Sequence, residues 1–247
     1  IVTARDKMVI DVDKNTLLQR ISDLRDIKIS DQEIRDKYFI GKGAKKYPPG
    51  DSRGWKLPEV RKKIQKDEHW NDRVASVLYR PFDTRLIYYV PWMIDWPRTS
   101  LMNNMLTSMP NLAIVTSRMT KGESFRHVQI TRGIVEAISI SPKTSNNAYF
   151  FPLYTKSSDD DLFKDIDKGT LNISQNYIHY IEKKTGLKYT TESTDDHLFY
   201  FNPEAVLAYI YAILHSDGYR ERYKDVLTLD YPRIPITNLR DLFSNLT

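Results

Sequence analysis

Six side chains between residues 118 and 132 have the types and spacing to hold and read a nucleic acid: Arg118, Lys121, Arg126, His127, Gln129 and Arg132. Cations neutralise phosphates and release counterions. An arginine fork on guanine, or a glutamine amide on adenine, adds about 1–3 kcal/mol of discrimination per base pair. Arg85 and Arg98 suit phosphate oxygens, which fix register and not sequence. Lys45, Lys46 and Arg53 add cations in a stretch, residues 41–55, too rich in Gly, Pro and Lys for a regular element. The charge is concentrated here: residues 53–132 carry 14 Lys+Arg against 7 Asp+Glu, leaving 23 against 25 in the rest of a chain whose net charge is +5. A basic region interleaved with Trp, Tyr, Gln and His points to nucleic-acid contact; the bland alternative is a solvated basic surface.

Bond-breaking chemistry finds no comparable pattern. Gly41, Gly43, Lys45 and Lys46 lack the spacing of a phosphate loop, which needs Gly-x-x-x-x-Gly-Lys followed by Ser or Thr. The one Asn-Pro pair, Asn202-Pro203, precedes Glu204 and reads as a helix start, not as the Asn/Asp-Pro-Pro-aromatic loop of an amino-methyltransferase. Glu182 and Lys184, with Asp165 and Asp167 upstream, give a weak nuclease fragment, but on a helical pattern where such motifs favour converging strands. Ser117, Ser124 and Ser139 lie outside any Gly-x-Ser-x-Gly elbow, and Asp83 and Asp95 read as turn caps. With no cysteine, and five histidines without ligand spacing, neither disulfides nor a structural metal is expected, and a reducing cytoplasm fits. No apolar run approaches the roughly 20 residues of a membrane helix. The chain is expected to hold no catalytic centre of its own.

These side chains must be positioned by short strands and turns. Residues 74–79 and 86–90 flank the corner Arg80-Pro81-Phe82-Asp83, where proline fixes φ and Asp83 suits a turn. Arg80 and Arg85 have two readings there, bracing the turn or meeting phosphate. Residues 112–116 and 127–131 are joined by a polar loop, 117–126, expected to be cationic and flexible. Alternation sends Val128 and Ile130 to a core face and leaves His127, Gln129 and Thr131 on a face expected to be free. Trp92 and Trp96 either stack on a base or pack at a turn. Upstream, residues 7–12 read as a strand, 15–25 as a helix, and Ser30 with Glu33 as a capping box for a second helix ending near Tyr38. Pro58 opens a helix whose Arg61, Lys62, Lys63 and Lys66 read as a solvated face. Downstream, residues 156–167 form an acidic surface excursion, and 172–184 an amphipathic helix capped by Gly186. Asn202-Pro203 starts a helix over 205–214 that is apolar all round and therefore buried. A shorter helix over 219–227, an extended piece at Tyr231-Pro232 and a last helix from 239 complete the chain. The expected fold is α+β: a central mixed or antiparallel sheet or partial barrel with helices at both ends. The expected division is a strand-rich recognition region, residues 1–155, and a helical region, residues 156–247, packing on it or continuous with it. The first residue, Ile1, and the helix still running near Thr247 suggest a piece of a longer polypeptide.

With these residues in view, the chain resembles the C-terminal specificity domain of Type ISP restriction-modification enzymes. The resemblance rests on YRPFDTR (79–85), WPRT (96–99), TSR (116–118), HVQITRGIVEA (127–137) and FPLY (151–154). It continues through YIYAILHS (209–216), YRERY (219–223) and YPRIP (231–235), so it covers nearly the whole chain. It implies a target-recognition module that reads a short asymmetric sequence in double-stranded DNA for an adenine methyltransferase and a restriction endonuclease located elsewhere in the parent. S-adenosylmethionine, ATP and magnesium would serve those other domains, and the methyltransferase and helicase-like parts of the same polypeptide would be partners in bacterial defence. The rival is a protein-interaction scaffold joining those domains with only non-specific DNA contact.

Overall fold

The computed structural model describes residues 1–40, 46–141, 143–144, 146–156, 169–192 and 198–247. The fold is α+β, built from small open sheets that do not close into a barrel, and it divides into two compact units. The first comprises residues 1–79, 83–102 and 133–136; the second, residues 80–82, 103–132 and 137–247.

In the first unit, three helices are set by their caps. Asp13 accepts the Thr16 N–H at 2.7 Å ahead of helix Lys14–Arg25. Ser30 and Glu33 form the expected reciprocal box on helix Asp31–Tyr38, and Pro58 sits in the first turn of helix Leu57–Lys66. Leu17, Ile21, Leu24, Ile34, Leu57 and Ile64 are fully buried, as their helical spacing requires. Arg61 is not on the solvated face the sequence suggested. It is buried, and its guanidinium donates to the carbonyls of Leu24 (3.0 Å), Asp26 (2.6 Å) and Ile29 (2.6 Å) and to the Asp31 carboxylate (2.6 Å). Carbonyls left open where helix Lys14–Arg25 ends are satisfied in this way.

Beside these helices runs a four-stranded sheet in the order Ile10–Asp11, Asp83–Tyr88, Val74–Arg80, Ile134–Val135. The first pair is antiparallel (Ile10 opposite Ile87) and the last parallel (Val77 opposite Ile134). Gly133 permits that last approach, since a Cβ there would lie 2.4 Å from the Ser76 carbonyl oxygen. The expected strand at 7–12 is instead a turn of helix, Asp6–Val9, leading into a two-residue strand. The N–H groups of Met8 and Val9 turn back to the Arg5 carbonyl.

In the second unit, strands Val128–Thr131, Ala113–Thr116 and Tyr149–Pro152 form an antiparallel sheet with Ala113–Thr116 in the centre; Ile114 faces Ile130 on one side and Phe151 on the other. Helix Gln175–Thr185 ends on Gly186 at φ 75, the left-handed cap its sequence predicts. Helix Pro203–His215, capped by Asn202, is the spine of this unit. Its Val206 and Tyr209 pack with Ile178, Ile181, Phe201 and Phe243, its Leu207 with Ile114 and Leu153, and its Leu214 with Phe125 and Val128. This all-round apolar helix therefore shares its core with the central strands, and both belong to the second unit. Among the described residues no helix is long and apolar enough to cross a membrane.

Candidate nucleic-acid interface

The central strand pair positions the loop that carries Arg118, Lys121 and Arg126. Sequence composition makes the loop look mobile; the structure pins it through Glu123. One carboxylate oxygen of Glu123 accepts from His127 Nε2 (2.9 Å), Thr144 Oγ1 (2.7 Å), Asn146 Nδ2 (3.3 Å) and Ser141 Oγ. These donors, Ser141 first and Thr144 next, lower its pKa from 4.5 to about 2. His127 Nδ1 accepts the Arg126 N–H at 3.2 Å, so Nε2 carries the proton given to Glu123. Asn146 also receives the Lys121 N–H at 3.1 Å. Glu123 was missed in the sequence; the signal was its place as the sole acid among the cations of 117–132.

His127 and Gln129 are therefore not on an open face. Both are buried, as is Thr131, and the second face of their strand is covered rather than free. Gln129 Oε1 accepts the N–H of Phe82 at 3.3 Å. The ring of Phe125 meets His127 edge-on. These two side chains hold the loop and the 80–82 corner in place.

Around that frame the cations point outward. Arg118 pairs with Asp230 at 3.1 Å and lies over the Tyr231 ring, with more than half of its side chain exposed. Lys121, Arg126 and Arg132 are exposed, and among the described residues their side chains have no hydrogen-bond or ion-pair partner. Such cations are ready to exchange water for phosphate or base edges at little desolvation cost.

The first unit carries the remaining candidates. Arg85 braces its turn: it makes a bidentate pair with Asp83 (3.0 and 2.7 Å) and stacks 4.4 Å above Tyr79. The pairing raises its pKa. It borders a cleft of about 420 Å³ with Asp6, Asp11, Arg20, Lys37 and Tyr38. Arg53 lines a second cleft of about 370 Å³ with Lys56, Lys63, Trp92 and Trp96. Trp96 is 62% exposed while Trp92 is half-buried. Asp95 nearby serves structure, accepting from the Ala4 N–H (2.9 Å) and the buried Arg5 guanidinium (2.6 Å). Arg98 is exposed at a strained φ of 53. Lys46 is exposed near the Tyr47 ring, whereas Lys45 lies outside the described residues, as do Asp165 and Asp167 of the nuclease fragment. Glu182 of that fragment accepts the Tyr189 N–H at 3.1 Å. Among the described residues no three acids or histidines are grouped to hold a metal ion.

Comparison with known proteins found no match among curated proteins. Three solved structures share the fold across 99% of this chain. A cryo-EM structure of a DrdV–DNA complex has a TM-score of 0.66 at 18% identity. A nuclease-deletion mutant of the Type ISP restriction-modification enzyme LlaGI, in complex with a DNA substrate mimic, has 0.60 at 20%. The ATP-dependent Type ISP restriction-modification enzyme LlaBIII, bound to DNA, has 0.63 at 18%. The chain spans only 22%, 20% and 14% of those proteins, respectively. The family model described as the Type ISP C-terminal specificity domain matches residues 1–247 from end to end. The resemblance carried by the arginine corners and the tyrosine-rich helix is thus met over its full length, and the chain belongs to the Type ISP C-terminal specificity domain family.

Proposed function

We propose that this chain is the DNA target-recognition module of a larger restriction-modification polypeptide, reading a short sequence in double-stranded DNA and holding no catalytic centre itself. The observation that carries the reading is the rigid display of Arg118, Lys121 and Arg126 on a loop fixed by Glu123, beside exposed Arg132. Family membership and the DNA held by the three solved neighbours support it. A preordered loop loses less entropy on binding than a mobile one, so more of each contact survives as affinity. Arg118 gives up only a solvent-exposed pair with Asp230, worth about 0–1 kcal/mol, when it turns to DNA. Lys121, Arg98, Arg53 and Lys46 serve as phosphate contacts, and Arg118, Arg126 and Arg132 as base readers, with His127 and Gln129 positioning them.

In the parent, S-adenosylmethionine, ATP and magnesium would serve an adenine methyltransferase, a helicase-like motor and a nuclease outside this chain, acting together in cytoplasmic defence. A scaffolding role has one observation in its favour: Val226, Leu229 and Leu239 in the second unit are each more than half exposed and suit docking on a neighbouring domain. Binding of the chain to duplex DNA by fluorescence anisotropy across a salt series tests the proposal. Affinity falls steeply with salt, and Lys121→Ala lowers the slope by about one. No binding, or salt-driven binding that is equally tight to every duplex sequence tried, overturns it in favour of the scaffold.

A further inference from the structure

The corner between strands Val74–Arg80 and Asp83–Tyr88 carries a large apolar side chain that is almost wholly exposed. Phe82 is 86% exposed, more than any other large apolar side chain among the described residues. It also holds φ at 58, in the left-handed region where glycine or asparagine is at ease and a bulky side chain is an outlier. Proline at the first central position of the turn and positive φ at the second make a type II arrangement, whose second position calls for glycine. In this conformation the Phe82 N–H is received by the amide oxygen of buried Gln129 at 3.3 Å. The ring is thus strained at its backbone, exposed to water, and stiffened by Pro81. In the isolated chain it gains no packing in return. Strain of this kind is retained where a bound state uses it.

Resting on the DNA-recognition reading above, we infer that Phe82 is a wedge that inserts between two stacked base pairs of the bound duplex, unwinding and kinking it there. Apolar wedges of this type unstack one base step and bend the duplex so that more of the protein contacts it. The partner is nucleic acid because the corner's rim, Arg80 together with Arg85 and its ion-pair partner Asp83, lies within the stretch that carries all the chain's excess positive charge. A greasy protein pocket would not select that rim. Pyrimidine–purine steps unstack most easily, so the wedge contributes sequence preference without a hydrogen bond.

The experiment uses the full chain with Phe82→Gly, which also relieves the backbone, and Phe82→Leu, which keeps an apolar wedge. The probes are random-sequence 30-mer duplexes for affinity, and a relaxed plasmid with topoisomerase I for unwinding. Expected are a Phe82→Gly melting temperature equal to or above wild type, duplex affinity weaker by about tenfold, loss of the linking-number shift, and retention of most of the shift by Phe82→Leu. If wild type binds duplex but produces no shift, or Phe82→Gly binds and unwinds as wild type does, the wedge is wrong while target recognition stands. A marked drop in melting temperature for Phe82→Gly would make the ring structural and also overturn the inference. If wild type binds no duplex at all, the recognition reading falls, and the wedge with it.

Discussion

Replacing Glu123 by glutamine removes one charge and little volume from the frame of the 117–126 loop. The folded pKa of Glu123, about 2, lies below its ordinary 4.5. A depressed carboxylate stabilises the folded state above the unfolded pKa and loses that contribution as pH falls toward the folded one. The full shift corresponds to about 3 kcal/mol. A third of the side chain is exposed, however, and solvent screening leaves about 1 kcal/mol. Glutamine keeps an acceptor oxygen, so Glu123→Gln loses about that amount at pH 7, a fall of roughly 2–4 °C in melting temperature for a chain of this size. By pH 3 less than half of the difference remains, because most of the linkage lies between about pH 4.5 and pH 2. Thermal unfolding of both proteins at pH 7 and pH 3 provides the comparison. Equal melting temperatures at pH 7, or a gap that does not narrow at pH 3, would refute the role given to the carboxylate.

Other outcomes follow from single contacts. Arg61→Leu strands three carbonyls and the Asp31 carboxylate in the first unit, and urea unfolding should show a loss of about 3 kcal/mol; under 1 kcal/mol would contradict the burial. Gly133→Ala forces a methyl group against the Ser76 backbone and should lose about 1–3 kcal/mol in the same assay. Asp230→Ala releases Arg118 and should leave stability nearly unchanged while tightening duplex binding modestly, since the pair is exposed; weaker binding would show that Asp230 aims the guanidinium. His127→Phe keeps a ring but removes the Glu123 partner, so its DNA affinity should fall without loss of salt dependence.

Features fixed by neighbours along the chain were readable from it. The Ser30–Glu33 box, the Asn202-Pro203 start and the Gly186 cap each depend on a few adjacent residues and appear where their residue types require; the Arg80–Asp83 corner appears at its proline, but with Phe82 at a positive φ that its residue type does not favour. The buried helix Pro203–His215 was legible from its unbroken apolar surface. What escaped depends on distant chain. Arg61 looks like one more lysine-like cation until carbonyls 32 to 37 residues away converge on it. The alternation at 127–131 gives two faces correctly but cannot tell that Glu123 and the Phe125 ring meet His127, or that the Phe82 backbone N–H meets Gln129. The loop's composition signals mobility, yet the residues that fix it, Ser141, Thr144 and Asn146, follow Glu123 by 18 to 23 residues. Residues 133–136 likewise join the first unit through a distant partner, by pairing of Ile134 with Val77.

The most direct test of target recognition is selection from a pool of random duplexes, with the bound fraction sequenced for wild type, Arg118→Ala, Arg126→Ala and Arg132→Ala. The account predicts one enriched motif for wild type, and for at least one variant a relaxed preference at a single position, with about 1–3 kcal/mol lost there. A bound fraction with no motif, weakened equally at all sequences by each variant, would contradict it.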